Sequence, residues 1–105
     1  MGFWTKLVSQ MASETKLVNI KTNPEWKQDP DFVYIGRPDQ FGNPFIIGLH
    51  GNRETVIQLY REWLANNPLM LTVIKARLKG KILGCYCTPK KCHGDVILEV
   101  LDNDD

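Results

Sequence analysis

No run of apolar residues in this chain approaches the roughly 20 needed to span a bilayer, so no membrane-crossing helix and no membrane partner are expected. No charge of one sign dominates either. Thirteen Lys and Arg against twelve Asp and Glu leave a net charge of +1, which excludes a grossly basic nucleic-acid binder and a grossly acidic mimic of nucleic acid. Internal repeats and low-complexity segments are absent. Cysteine is scarce and does not occur before position 85: three residues, an odd number that cannot all pair within one chain. With no secretory signal read at the start, clustered thiols point to a reducing cytoplasm, where they are more often metal ligands or reactive groups than disulfides. Gly2 is followed by Lys6 where an acylation signal wants Ser or Thr, so no lipid anchor is read.

What is there suffices for one modest core: 105 residues, 43% hydrophobic and 24% charged. Phe3, Trp4, Leu7, Val8 and Met11 recur at helical spacing, giving an amphipathic extension over residues 1–12. Met11-Ala12 also looks like a translation start, so this extension is expected to be dispensable for the fold. A single domain is expected over 16–102. The acidic tail at 103–105 opposes the dipole of any helix it follows and should fray.

Within the domain, Lys16–Lys21 and Asp31–Ile35 read as strands, with a proline-containing loop between them over 22–30. The segment from Arg37 to Phe45 is dense in turn residues yet carries a guanidinium and two phenylalanines, which suits a loop that lines something. Asn52 is a cap for a helix over about Arg53–Ala65, whose stripe is Val56, Ile57, Tyr60, Trp63 and Leu64. Asn67-Pro68 starts a second helix that Gly80 ends. Ile82–Cys87 reads as a buried strand and Val96–Leu101 as a final helix. The expected fold class is α/β: a small single-layer sheet of three or more strands, at least partly parallel, packed with three to four helices.

Chemistry concentrates in Cys85-Tyr86-Cys87-Thr88-Pro89-Lys90-Lys91-Cys92-His93-Gly94-Asp95, between the last strand and the last helix. Two chemistries fit. On a strand Cys85 and Cys87 share a face, and with Cys92 and His93 they make a sulfur-rich set of a kind that holds zinc. The spacing C-x-C-x4-C-H is unlike the usual pair of knuckles, and adjacent ligands at 92 and 93 must both bend inward. Alternatively Cys92 is a reactive thiolate favoured by the helix start and by Lys90 and Lys91. His93 then acts as proton donor or acceptor, and Asp95 orients it or polarises a substrate hydroxyl. From Trp63 to Gly94 there is no acidic residue, while Lys75, Arg77, Lys79, Lys81, Lys90 and Lys91 are basic. With Arg37, Asn43 and Arg53 nearby, a phosphate-bearing ligand, nucleotide or nucleic acid, is the expected partner.

Val33-Tyr34-Ile35-Gly36-Arg37-Pro38, Gly42-Asn43-Pro44-Phe45, Tyr60-Arg61-Glu62-Trp63-Leu64 and the stretch from Leu83 through Asp95 resemble domain-of-unknown-function family 4326 of bacteria and bacteriophages. The colinear match runs from about Leu17 to Leu101. It implies a compact α/β domain marked by Arg37, Asn43, Pro44, Arg53, Cys85, Cys87, Cys92, His93 and Asp95, and it brings no established activity. The Cys-His motif is also similar to that of another α/β family, which has arginine where Gly94 stands here. A phage setting would place the protein in the host cytoplasm. It also raises a different class of function: a non-enzymatic protein that binds a host factor through Trp4, with the cysteine cluster only structural.

Overall fold

The structure is a computed structural model that describes residues 15–103. Three strands form one sheet: β1 (Lys16–Asn19), β2 (Phe32–Tyr34) and β3 (Ile82–Cys85). Their order is β1-β3-β2, and both pairings are parallel, with Lys16 and Phe32 level with Ile82. Three α-helices complete the domain: α1 (Arg53–Ala65), α2 (Pro68–Arg77) and α3 (His93–Asp102). The α/β expectation holds, and the sheet is wholly parallel. No described helix is long and apolar enough to cross a membrane. The expected amphipathic helix within residues 1–12 lies outside the described residues.

β3 takes the centre because Ile82-Leu83-Gly84-Cys85 carries no charge and is buried from Leu83 onward, as a strand flanked on both sides must be. Leu83 and Cys85 point to one face, and with Leu17, Val33 and Ile35 they join the core that the helices cover. On the opposite face Gly84 leaves room for the Phe32 ring and for Ile20, which a Cβ there would strike. Asn52 caps α1 by accepting from the Thr55 amide, and Asn67 caps α2 by accepting from the Met70 amide. α1 buries Val56, Ile57, Tyr60 and Leu64, and α3 buries Val96, Ile97 and Leu101. Each such side chain contributes about 1.5–3 kcal/mol of burial. The loop expected over 22–30 contains a short 3-10 turn (Pro24–Gln28), in which Trp26 is half-buried with the Lys16 ammonium 6.0 Å from its ring centre.

Two boundaries differ from expectation, and both concern the site. β3 ends at Cys85 rather than Cys87, so Cys87 sits in a turn where the Lys90 amide donates to its carbonyl at 2.9 Å. α3 begins at His93, three residues before its apolar stripe, because Cys92 and Asp95 cap each other.

Candidate functional site

Because all three strands are parallel, they end on the same edge of the sheet. Two long connections leave that edge, 35–52 after β2 and 86–92 after β3, and α1 and α3 start there. In open α/β sheets ligands bind at this edge, where helix N-termini present amides and positive dipole ends. A cleft of about 170 Å³ opens between the two connections. Arg37, Asn43, Arg53, Lys91, Cys87, Cys92 and His93 line it, against an apolar wall of Phe45, Ile46, Ile47, Val56 and Ile57.

The 86–92 loop is held from both ends. Asn19, at the end of β1, donates its side-chain amide to the carbonyls of Thr88 at 2.8 Å and Tyr86 at 3.3 Å. At the helix start the Asp95 carboxylate accepts from the Cys92 amide at 2.9 Å, and the Cys92 sulfur accepts from the Gly94 amide at 3.3 Å. Gly94 is buried, and a Cβ there would lie 2.6 Å from Leu17 Cδ1 and 3.1 Å from Ile35 Cδ1. Its bare backbone therefore lets α3 settle onto the sheet. That seating brings Cys92 Sγ to 3.9 Å from Cys85 Sγ, with both residues buried.

The pairing sets the acidity of the sulfurs. Donation from the Cys92 thiol, helped by the Thr88 and Cys87 amides, brings the Cys85 thiol down to about 6 against the opposing effect of burial. The same contact, together with burial, pushes Cys92 far up. The contact thus favours negative charge on Cys85 and the proton on Cys92.

His93 is held by a backbone carbonyl and an aromatic ring. Its Nε2 lies 2.7 Å from the Ile35 carbonyl, and its ring meets Tyr60 edge-on at 5.3 Å. A carbonyl only accepts, so Nε2 carries the proton and Nδ1 keeps its lone pair. Burial is the main cause that lowers the His93 pKa, and the Arg37 cation adds to it, so the ring is neutral. Tyr60 is fully buried and donates to the Phe41 carbonyl at 3.0 Å, fixing both the ring under His93 and the loop beyond Arg37.

The polar residues of the cleft divide into positioned and available groups. Asn43 uses its amide at both ends, donating to the Val56 carbonyl at 3.1 Å and accepting from the Phe45 amide at 2.9 Å. Arg53 donates from Nη1 to the Lys91 carbonyl at 3.0 Å, tying α1 to the cysteine loop. Arg37 is exposed, and among the described residues its guanidinium makes no hydrogen bond or ion pair. Its backbone is fixed instead: Tyr34 donates to its carbonyl at 2.8 Å, and Gly42 packs so closely that a Cβ would lie 2.9 Å from the Arg37 nitrogen.

A family model described as "Domain of unknown function (DUF4326)" matches residues 18–103. The chain belongs to this family. It is similar to an uncharacterized 12.4 kDa protein of the nrdA-td intergenic region of Enterobacteria phage T4, 35% identical over 81 residues that cover 74% of this chain and 73% of that protein. It is also similar to uncharacterized protein R718 of Acanthamoeba polyphaga mimivirus, 30% identical over 102 residues that cover 80% of this chain and 77% of that protein. No solved structure matches the chain.

This DUF4326 domain gathers most of the residues singled out from its sequence but sorts them differently. Arg37, Asn43, Arg53, Lys91, Cys87, Cys92 and His93 share the cleft, whereas Lys90, exposed on the same loop, does not line it. Asp95, expected as a catalytic group, is placed as a helix cap, one carboxylate oxygen accepting from the Cys92 amide. Of the four expected zinc ligands, Cys85 and Cys92 are in contact while His93 Nε2 faces a backbone carbonyl. Among the described residues no group of three or more His, Cys, Asp or Glu is placed to hold a metal ion. Asn19 and Tyr60, which the sequence marks only as a strand position and a helix-stripe position, also brace the site. Both act through backbone carbonyls distant in sequence, and nothing local to Asn19 or Tyr60 signals that.

Proposed function

We propose that the cleft binds a phosphate-bearing small molecule of nucleotide type. The observation that carries this reading is the lining itself: three cations, Arg37, Arg53 and Lys91, and no carboxylate, facing an apolar wall that contains Phe45. An anion can take the guanidinium of Arg37 in bidentate fashion, and Arg53 and Lys91 complete a positive mouth. The apolar wall suits a base or another flat apolar group attached to the phosphate. Beside the phosphate site, His93 offers Nδ1 as a hydrogen-bond acceptor, and the Cys85–Cys92 couple supplies a thiolate rather than a metal cage.

Calorimetric titration of the full chain with adenosine monophosphate, ribose 5-phosphate and inorganic phosphate tests the reading. The nucleotide should bind tightest, and Arg37→Ala should weaken it about 10- to 100-fold, as expected for one charge-assisted contact. Absence of binding by all three at low salt, or binding indifferent to Arg37→Ala and Arg53→Ala alike, would refute it.

A further inference from the structure

We infer that Cys85 and Cys92 form a peroxide-responsive dithiol centre that closes into an intrachain disulfide while Cys87 remains a free thiol. The inference stands on the arrangement of sulfurs and not on any ligand in the cleft. Cys85 ends the central strand and Cys92 caps α3, and the two sulfurs already touch at 3.9 Å inside the core. Closing that contact to a bond of about 2.05 Å requires a shift of under 2 Å. The shift falls on a loop rather than on two packed elements, since residues 86–92 carry no helix or strand.

The cleft provides the route. Cys92 lines it, as the more exposed Cys87 does, while Cys85 lies behind, so of the paired sulfurs a small oxidant reaches Cys92 before Cys85. As the Cys92 thiol passes its proton to the Cys85 sulfur it touches, Cys92 Sγ, which also accepts from the Gly94 amide at the helix start, attacks one oxygen of hydrogen peroxide. The O–O bond breaks, hydroxide leaves, and Cys92 becomes a sulfenic acid. Cys85 gives its proton to the hydroxide, forming water, and attacks the sulfenic sulfur. The S–O bond breaks, and the departing hydroxide takes up a proton from solvent to form a second water. Two electrons have passed from the two sulfurs to peroxide, and one S–S bond has formed. A thiol reductant reverses the change. Bond formation to Cys85 weakens Cys92 Sγ as acceptor of the Gly94 amide and draws the loop toward the sheet, so oxidation reshapes one wall of the cleft.

The chain is well suited to a direct test, because Lys90 and Lys91 separate the two cysteines for trypsin. The full-length protein would be treated with stoichiometric hydrogen peroxide, alkylated in denaturant and digested. One alkylatable thiol should remain of three, with peptide 82–90 joined to the peptide that starts at Cys92, and dithiothreitol should restore all three. Cys87→Ser should cross-link like the parent, whereas Cys85→Ser should stop at sulfenic acid that dimedone traps on Cys92. A cross-link that survives Cys85→Ser and disappears in Cys87→Ser would overturn the assignment. So would oxidation of Cys92 to sulfinic acid in the parent with no cross-link. Circular dichroism of each variant before oxidation separates lost pairing from lost fold.

Discussion

Asn43 offers the sharpest separation of positioning from binding. Its side chain bridges the 35–52 connection to α1 through the Val56 carbonyl and the Phe45 amide, at 3.1 and 2.9 Å, in a half-buried setting. Asn43→Ala removes both bonds and leaves a donor and an acceptor without their partners. At about 0.5–1.5 kcal/mol for each bond, the loss is about 1–3 kcal/mol. For a domain of this size that lowers Tm by roughly 5–15 °C. Thermal and urea unfolding followed by tryptophan fluorescence measure it. Asn43→Asp is the informative companion. It keeps an oxygen for the Phe45 amide but sets a second oxygen against the Val56 carbonyl and brings a negative charge to the cationic mouth. It should therefore match the alanine variant in stability and bind phosphate worse. If Asn43→Ala unfolds like the parent yet abolishes nucleotide binding, Asn43 contacts the ligand and the positioning argument fails.

Other consequences are open to simple measurement. Gly94→Ala should cost about 1–3 kcal/mol in urea unfolding, since its Cβ would overpack Leu17 and Ile35, and an unchanged midpoint would show that α3 has room to lift. His93 and Cys85 both bind protons less readily in the fold than their ordinary values of 6.5 and 9.0 imply. Wherever the unfolded chain holds the extra proton, stability rises with pH, by at most about 1.4 kcal/mol per pH unit for each group. Stability should therefore be lost as pH falls from 9.0 towards about 6 through Cys85, and further below 6.5 through His93. Cys85→Ser should flatten the upper part of that profile alone. Arg61→Ala removes a bidentate pair to Glu99 at 2.8 and 3.0 Å whose side chains are 41% and 50% exposed, so about 0.5 kcal/mol is expected, and a loss several times larger would contradict the screening argument.

The sequence by itself determined the elements and the place of the site. Asn52 and Asn67 announce two helix starts through side chains that cap amides only three residues away, and the apolar Ile82–Cys85 announces a central strand. These signals are legible because the forces behind them act within one turn or along one strand. Tertiary structure decided how the polar groups are shared out. Asn43 is engaged because α1 lies beside its loop. His93 engages the Ile35 carbonyl, 58 positions away in sequence, and Asn19 reaches the carbonyls of a loop 67 and 69 positions away. Hydrogen-bonding capacity belongs to a residue type, but the partner that fills it is chosen by packing, and packing here depends on a parallel sheet that sets the ends of β1, β2 and β3 side by side.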